Sequence, residues 1–274
     1  MSALTVRRLL IDLGDGFPRH WHGGDPFRSA LFDALSMSFP VGEQFFIDSV
    51  KKGVAALDAG TRERFADDLK GFVGQEATHR HIHGIFNAQL ESQGYTNTWQ
   101  ERAARRIGYI AALDARHQVA ITAAYEHYTA ILADWLLANE AQMTGVDARL
   151  KAMWLWHSVE ESEHKSVAFD VYQALGGTPS WRIRWFLRCS FFFFTDLFRQ
   201  TARNLWHDGE LFRLRTLRSC LSFLFGRHGM VPHTIRPWRA YFRRDFHPSQ
   251  LDSSPLTTAW LSRNGDAFKV VGAT

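Results

Sequence analysis

The chain has 274 residues, 46% hydrophobic and 22% charged, which excludes whole-chain disorder and fits one large domain or a domain with an appendage. Its two cysteines, Cys189 and Cys220, exclude a disulfide scaffold and a cysteine-based zinc or iron–sulfur site, and fit a reducing cytoplasm. A net charge of +4 with no accompanying motif argues against nucleic acid; thirteen His, ten Trp and twenty-two Phe are the unusual counts.

Met1–Gly14 lacks the apolar run and small-residue cleavage site of a signal peptide. Glycines and prolines from Gly14 to Pro26 make an irregular entry segment, and Asp25-Pro26 reads as a helix start. Helical patterning then runs from Phe27 to about Lys52, with a kink or break expected at Pro40 and Gly42. A second helix is predicted from about Thr61 to Ser92, ended by Gly94. The segment from about Thr98 to Asn139 reads as one helix, or as two with a bend, Gly108 being the weak point. A fourth helix spans about Val146 to Leu175 and is stopped by Gly176-Gly177 and Pro179. No strand pattern of convincing length interrupts this region. Residues 1–178 therefore form one expected unit, a helical bundle with its entry segment. Residues 179–274 form a basic, aromatic extension packing on it, with helices at about Ser180–His207 and Leu211–Phe225 and a proline-punctuated, partly ordered tail.

The four long helices carry a repeated chemical pattern. The first offers Glu43. The second offers Glu76-Ala-Thr-His79 and then His83. The third offers Glu126, and the fourth offers His157 and then Glu161-Ser-Glu-His164. Residues at i, i+3 and i+4 share a helix face, so Glu76, His79 and His83 form one stripe and His157, Glu161 and His164 another. A carboxylate and an imidazole on one face grip a metal ion. Two such pairs facing each other, bridged by Glu43 and Glu126, hold two. This is the arrangement of ferritin-like di-iron and di-manganese bundles. The expected fold is all-α: a ferritin-like four-helix bundle with a dinuclear metal site plus extra C-terminal helices. The donor set suits two iron ions, with manganese and zinc as alternatives.

Gln75 and Glu160, each preceding a motif glutamate, are placed to hydrogen-bond the outer nitrogen of a histidine on the opposite helix. Tyr125 and Tyr128 flank Glu126 and are expected near the site. His157 reads as a seventh ligand, and His83 as an eighth or as a hydrogen-bonding neighbour. Blander readings stand beside these. Glu43 sits close to a helix start if Pro40 breaks the helix. Glu126 is a solvent charge if its apolar neighbours face elsewhere. Glu163, off the His157–Glu161–His164 stripe, is expected in solvent. His81 and His127 read as surface or packing histidines, and His20 and His22 as non-ligands.

The runs Phe39-Pro40-Val41-Gly42-Glu43-x-Phe45-Phe46, Gln75-Glu76-x-x-His79-x-x-x-His83, Glu126-His127 and Trp156-His157-Ser-Val-Glu160-Glu161-Ser-Glu163-His164-Lys165 resemble the bacterial family labelled predicted metal-dependent hydrolase. The resemblance is firm from about Trp21 to Gly177 and looser to about Gly226. The spacing His157-x-x-x-Glu161-x-x-His164 also resembles the di-iron N-oxygenases that oxidise p-aminobenzoate. That resemblance implies Glu43, Glu76, His79, Glu126, His157, Glu161 and His164 as ligands and leaves His83 without a place.

The leading expectation from the ligand pattern is an O2-activating di-iron oxidase or oxygenase, with Glu43 and Glu126 at the reacting centre and a small or lipid-like substrate. Without a dinucleotide or flavin fingerprint, electrons would come from an external donor. A dinuclear hydrolase using a metal-activated water is the second reading, and a storage or structural metal the third. A homodimer is the default assembly. The stretch Trp181–Trp206 interleaves arginine with Trp and Phe. It fits either peripheral contact with the inner membrane or packing on the bundle or a dimer partner, with arginine stems covering apolar surface. Arg188 and Asp196 interrupt its longest apolar run, so no spanning helix is expected.

Overall fold

In the computed structural model, which describes residues 4–272, the chain is all-α apart from one small two-stranded sheet. The helices are α1 (Pro26–Ala55), α2 (Ala59–Arg64), α3 (Ala66–Ser92), α4 (Thr98–Ile110), α5 (Ala115–Ala138), α6 (Ala148–His164), α7 (Val167–Ala174), α8 (Pro179–His207), α9 (Leu214–Phe225), α10 (Met230–Ala240) and α11 (Ser254–Arg263). Strands β1 (Arg7–Leu9) and β2 (Phe268–Val270) pair antiparallel, Arg8 opposite Lys269.

The long α1 corrects the break expected at Pro40. Asp25 caps it, accepting from the Arg28 backbone N–H, and Pro26 opens it. Proline at position 40 cannot donate to the Ser36 carbonyl one turn back. Asn87 of α3 supplies the missing donor: its Nδ2 lies 2.9 Å from that carbonyl oxygen. Glu43 therefore sits inside a continuous helix, fully buried, rather than near a helix start.

Three other boundaries differ from the sequence reading. The second helix is divided at Phe65 into α2 and α3. The third is divided after Ile110 rather than at Gly108, because Asp114 caps a new helix by accepting from the His117 backbone N–H. The fourth is divided immediately after His164, where Lys165 turns inward to the Leu251 carbonyl and Ser253.

Helices α1, α3, α5 and α6 surround the metal-type side chains, and one contiguous apolar core joins them to the later helices. Phe186, Cys189, Phe193 and Leu197 bury one face of α8 against α1 and α5. The tail is more structured than expected. It contains α10 and α11, and β2 pairs with β1 although more than 250 residues of chain separate them. Among the described residues, no helix is long and apolar enough to cross a membrane.

Candidate metal centre

The structure brings all eight predicted ligands into one buried cluster: Glu43 from α1, Glu76, His79 and His83 from α3, Glu126 from α5, and His157, Glu161 and His164 from α6. One group, with ligand atoms mutually within 4.8 Å, comprises Glu76, Glu126, Glu161 and His164. Three smaller groups join Glu43 with Glu76 and His79, His79 with His157 and Glu161, and Glu43 with His83 and His157. Glu76 and Glu161 belong to both halves of the cluster. Helix spacing places Glu43 and Glu126 as the bridges; in the fold Glu76 and Glu161 are the members of the four-residue group that also join smaller ones.

The ring orientations are set from outside the cluster. His79 turns Nε2 to Glu160 Oε2 at 3.0 Å and presents Nδ1 inward, 3.3 Å from Glu161. His164 turns Nδ1 to Gln75 Oε1 at 2.9 Å and presents Nε2 inward, 3.2 Å from Glu126 and 3.3 Å from Glu76. His157 places Nε2 3.1 Å from Glu161 and Nδ1 2.9 Å from His83 Nε2. The other nitrogen of His83 meets Ser36 Oγ at 2.8 Å. Both nitrogens of His83 thus have protein partners, and the residue holds the ring of His157.

Burial and charge act strongly on these groups. Burial pushes Glu43 and Glu76 well above the usual carboxylate range, and Glu126 and Glu161 add repulsion at Glu76. Burial also raises Glu126. It opposes charge on His79, but the hydrogen bond to Glu160 and the negative charge of Glu160 and Glu161 outweigh it and push that ring up to about 9. His157 is pushed down to about 4 by burial and by His79.

A metal pair fits this donor set. Both carboxylate oxygens of Glu43, Glu76 and Glu126, together with Glu161 Oε2, His79 Nδ1 and His164 Nε2, are buried without a hydrogen-bond partner in the protein. Each such group costs about 1–3 kcal/mol or more when unsatisfied. Buried carboxylates and imidazoles converging on one point are instead the signature of cation coordination.

Sequence reasoning missed several residues that support the centre. The Arg7 backbone N–H donates to Glu160 Oε1 at 3.1 Å, and its guanidinium clasps Glu163 at 2.7 and 2.9 Å. Glu163 accepts from Gln75 Nε2 at 2.9 Å, so it is not the solvent charge expected of it. Ser36 and Asn87 extend the support to His83. No local pattern marks these contacts, since Arg7 lies 153 residues from Glu160.

The two tyrosines depart from expectation. Tyr128 hydrogen-bonds Ser190 and accepts from Trp238 Nε1 at 2.9 Å, and Tyr125 stacks on Phe46. Neither is brought to the cluster, because each sits a large rotation around α5 from Glu126, towards α8. His127 packs with Nε2 against the Pro237 carbonyl, and His81 is exposed.

Three apolar cavities share lining residues, and one of them reaches the centre. The innermost, of about 50 Å³, is lined by His157 and Glu161 together with Phe39, Trp154 and Phe193. A cavity of about 240 Å³ between α1, α4 and α8 shares Phe39, Thr129 and Phe193 with it. A third, of about 270 Å³, lies between α8 and α10 and shares Leu31, Leu35, Phe193 and Met230.

No curated protein and no solved structure matches the chain. A family model described as predicted metal-dependent hydrolase matches residues 5–252. That match overturns the O2-activating oxidoreductase expected from the ligand pattern, and with it the need for O2 and an external electron donor. Carboxylate-rich helical ligation says which ions can be held, not which reaction they serve. Spanning the bundle and most of the later helices, the match shows that this chain belongs to the family of predicted metal-dependent hydrolases.

Proposed function

We propose that the protein is a dinuclear metal-dependent hydrolase acting on an apolar organic substrate, its ligand helices α1, α3, α5 and α6 forming a ferritin-like bundle. The observation that carries this reading is the set of buried, unpartnered carboxylate and imidazole atoms at the inner end of an apolar cavity. Glu76, Glu126, Glu161 and His164 would hold one ion, and Glu43, His79 and His157 would supply donors to a second. Iron, manganese and zinc all suit this donor set. Bound metal would supply Lewis acidity, lowering the pKa of water and polarising the substrate's carbonyl or phosphoryl group so that its electrophilic atom is open to attack.

The chain's own residues do the rest. Gln75 and Glu160 fix the rings of His164 and His79. Phe39, Trp154 and Phe193 keep bulk water from the inner cavity and seat the apolar part of the substrate. Glu43 and Glu126, one carboxylate from each helix without a motif, each have two oxygens without a protein partner, so one oxygen would serve the metal and the other would take the proton of the attacking water and return it to the leaving atom.

Protein loaded in turn with iron, manganese and zinc is assayed under argon against nitrophenyl esters of increasing acyl length. Hydrolysis that requires metal, is lost on chelation and favours longer chains is expected, with about two ions per chain. Full metal occupancy with no hydrolysis by any loaded form would sink the reading.

A further inference from the structure

We infer that the outer face of α8, continued through Trp206 and Phe212 onto α9, docks on an anionic lipid surface. Leu187, Phe191, Phe194 and Phe198 recur at helical spacing and form one exposed stripe, Phe191 at 66% and Phe198 at 74% exposure. The opposite face of α8 is the one buried on the bundle, so this stripe is not core. Trp206 and Phe212, both exposed, meet edge-on at 6.1 Å and carry the apolar surface across the turn. Leu214, Leu217, Leu221 and Phe225 continue it along α9, opposite the buried Phe223. An exposed apolar surface of this extent marks an interaction site.

Charge selects the occupant. Arg184, Arg188, Arg199 and Arg203 run beside the α8 stripe, and none has a carboxylate partner among the described residues. Arg184 and Arg188 lie over the rings of Trp181 and Trp185. The sole acid of α8, Asp196, is buried and held by Arg102 and Arg106, and α9 has none. A second copy of this chain meeting the face symmetrically would set arginines against arginines with no carboxylate between them. A bilayer carrying anionic headgroups pairs with the arginines and receives the Phe stripe below them.

The same face adjoins the apolar cavities. Arg188 and Phe192 line the cavity of about 240 Å³, and Phe194 that of about 270 Å³. A chain drawn from the lipid phase passes Phe193, which all three cavities share, towards His157 and Glu161.

Flotation of the full chain without substrate tests docking separately from hydrolysis, so the two readings fail independently. The protein is expected to float with vesicles of mixed phosphatidylcholine and phosphatidylglycerol, and much less with phosphatidylcholine alone. Replacing Phe191, Phe194 and Phe198 together by Ser should abolish flotation. Each of Arg184→Gln and Arg188→Gln should lower partitioning about fivefold at low salt. Should the triple variant not fold, quenching of the unaltered protein's fluorescence by brominated lipid, diminished in Trp206→Phe, reads the same contact. Wild-type protein that stays unbound with both vesicle types overturns the proposal. So does a wild-type dimer that the triple variant converts to monomer, which would assign the face to a second copy.

Discussion

Glu160 Oε2 lies 3.0 Å from His79 Nε2, and its other carboxylate oxygen accepts the backbone N–H of Arg7 at 3.1 Å. One fully buried carboxylate thus connects a terminal strand to a candidate metal ligand, fixing which nitrogen of His79 faces the centre. Its contribution is directional, since an imidazole free to rotate presents the wrong atom part of the time.

Glu160→Ala should weaken metal binding about 10–100-fold. Competition against a chromophoric chelator measures this. Affinity equal to that of the unaltered protein would mean that His79 is not oriented through Glu160.

His164→Ala removes a donor from the group formed with Glu76, Glu126 and Glu161. Metal content by elemental analysis should fall by about one ion per chain, with a lower melting temperature in metal than the parent protein. Undiminished metal content would take His164 out of the ligand set.

Asn87→Leu leaves the buried Ser36 carbonyl without its donor and should cost about 1–3 kcal/mol in urea unfolding. Adding Pro40→Ala restores a backbone N–H one turn ahead and should recover much of that loss. A double-mutant cycle gives the coupling directly. Additive effects of the two changes would show that Asn87 does not compensate for the proline.

His22 is buried against Phe32 and Phe223, and burial together with the charge of Arg28 holds its imidazole down to about 4. The unfolded chain binds that proton near pH 6.5, so it holds more protons than the fold between these values. The neutral ring's contribution is complete above about pH 6.5 and is lost progressively as pH falls towards 4, up to ~3 kcal/mol. Urea midpoints at pH 7 and pH 5 should differ more in the parent protein than in His22→Phe. Equal differences would assign the acid sensitivity elsewhere.

Much of this protein follows from local spacing. Glu76 with His79, and Glu161 with His164, share a helix face wherever a helix forms, because 3.6 residues per turn place i and i+3 together. The stops at Gly94 and Gly176 are local as well: both residues adopt positive φ, which glycine takes at little cost. All-α architecture and the family resemblance were legible on the same footing.

Tertiary structure alone decided which side chains complete those stripes. Arg7 reaches Glu160 and Glu163 from β1, a strand that pairs with β2 from a distant part of the chain, and Asn87 repairs the gap at Pro40 because α3 lies against α1. Likewise, the packing of α5 on α8 and α1 decides what Tyr125 and Tyr128 meet once helix spacing has turned them from Glu126. The sequence by itself determined what each helix face carries, since helical periodicity is a property of neighbouring residues. Which faces meet depends on long loop closures and on packing against partners distant in the chain, and these carry no local signature.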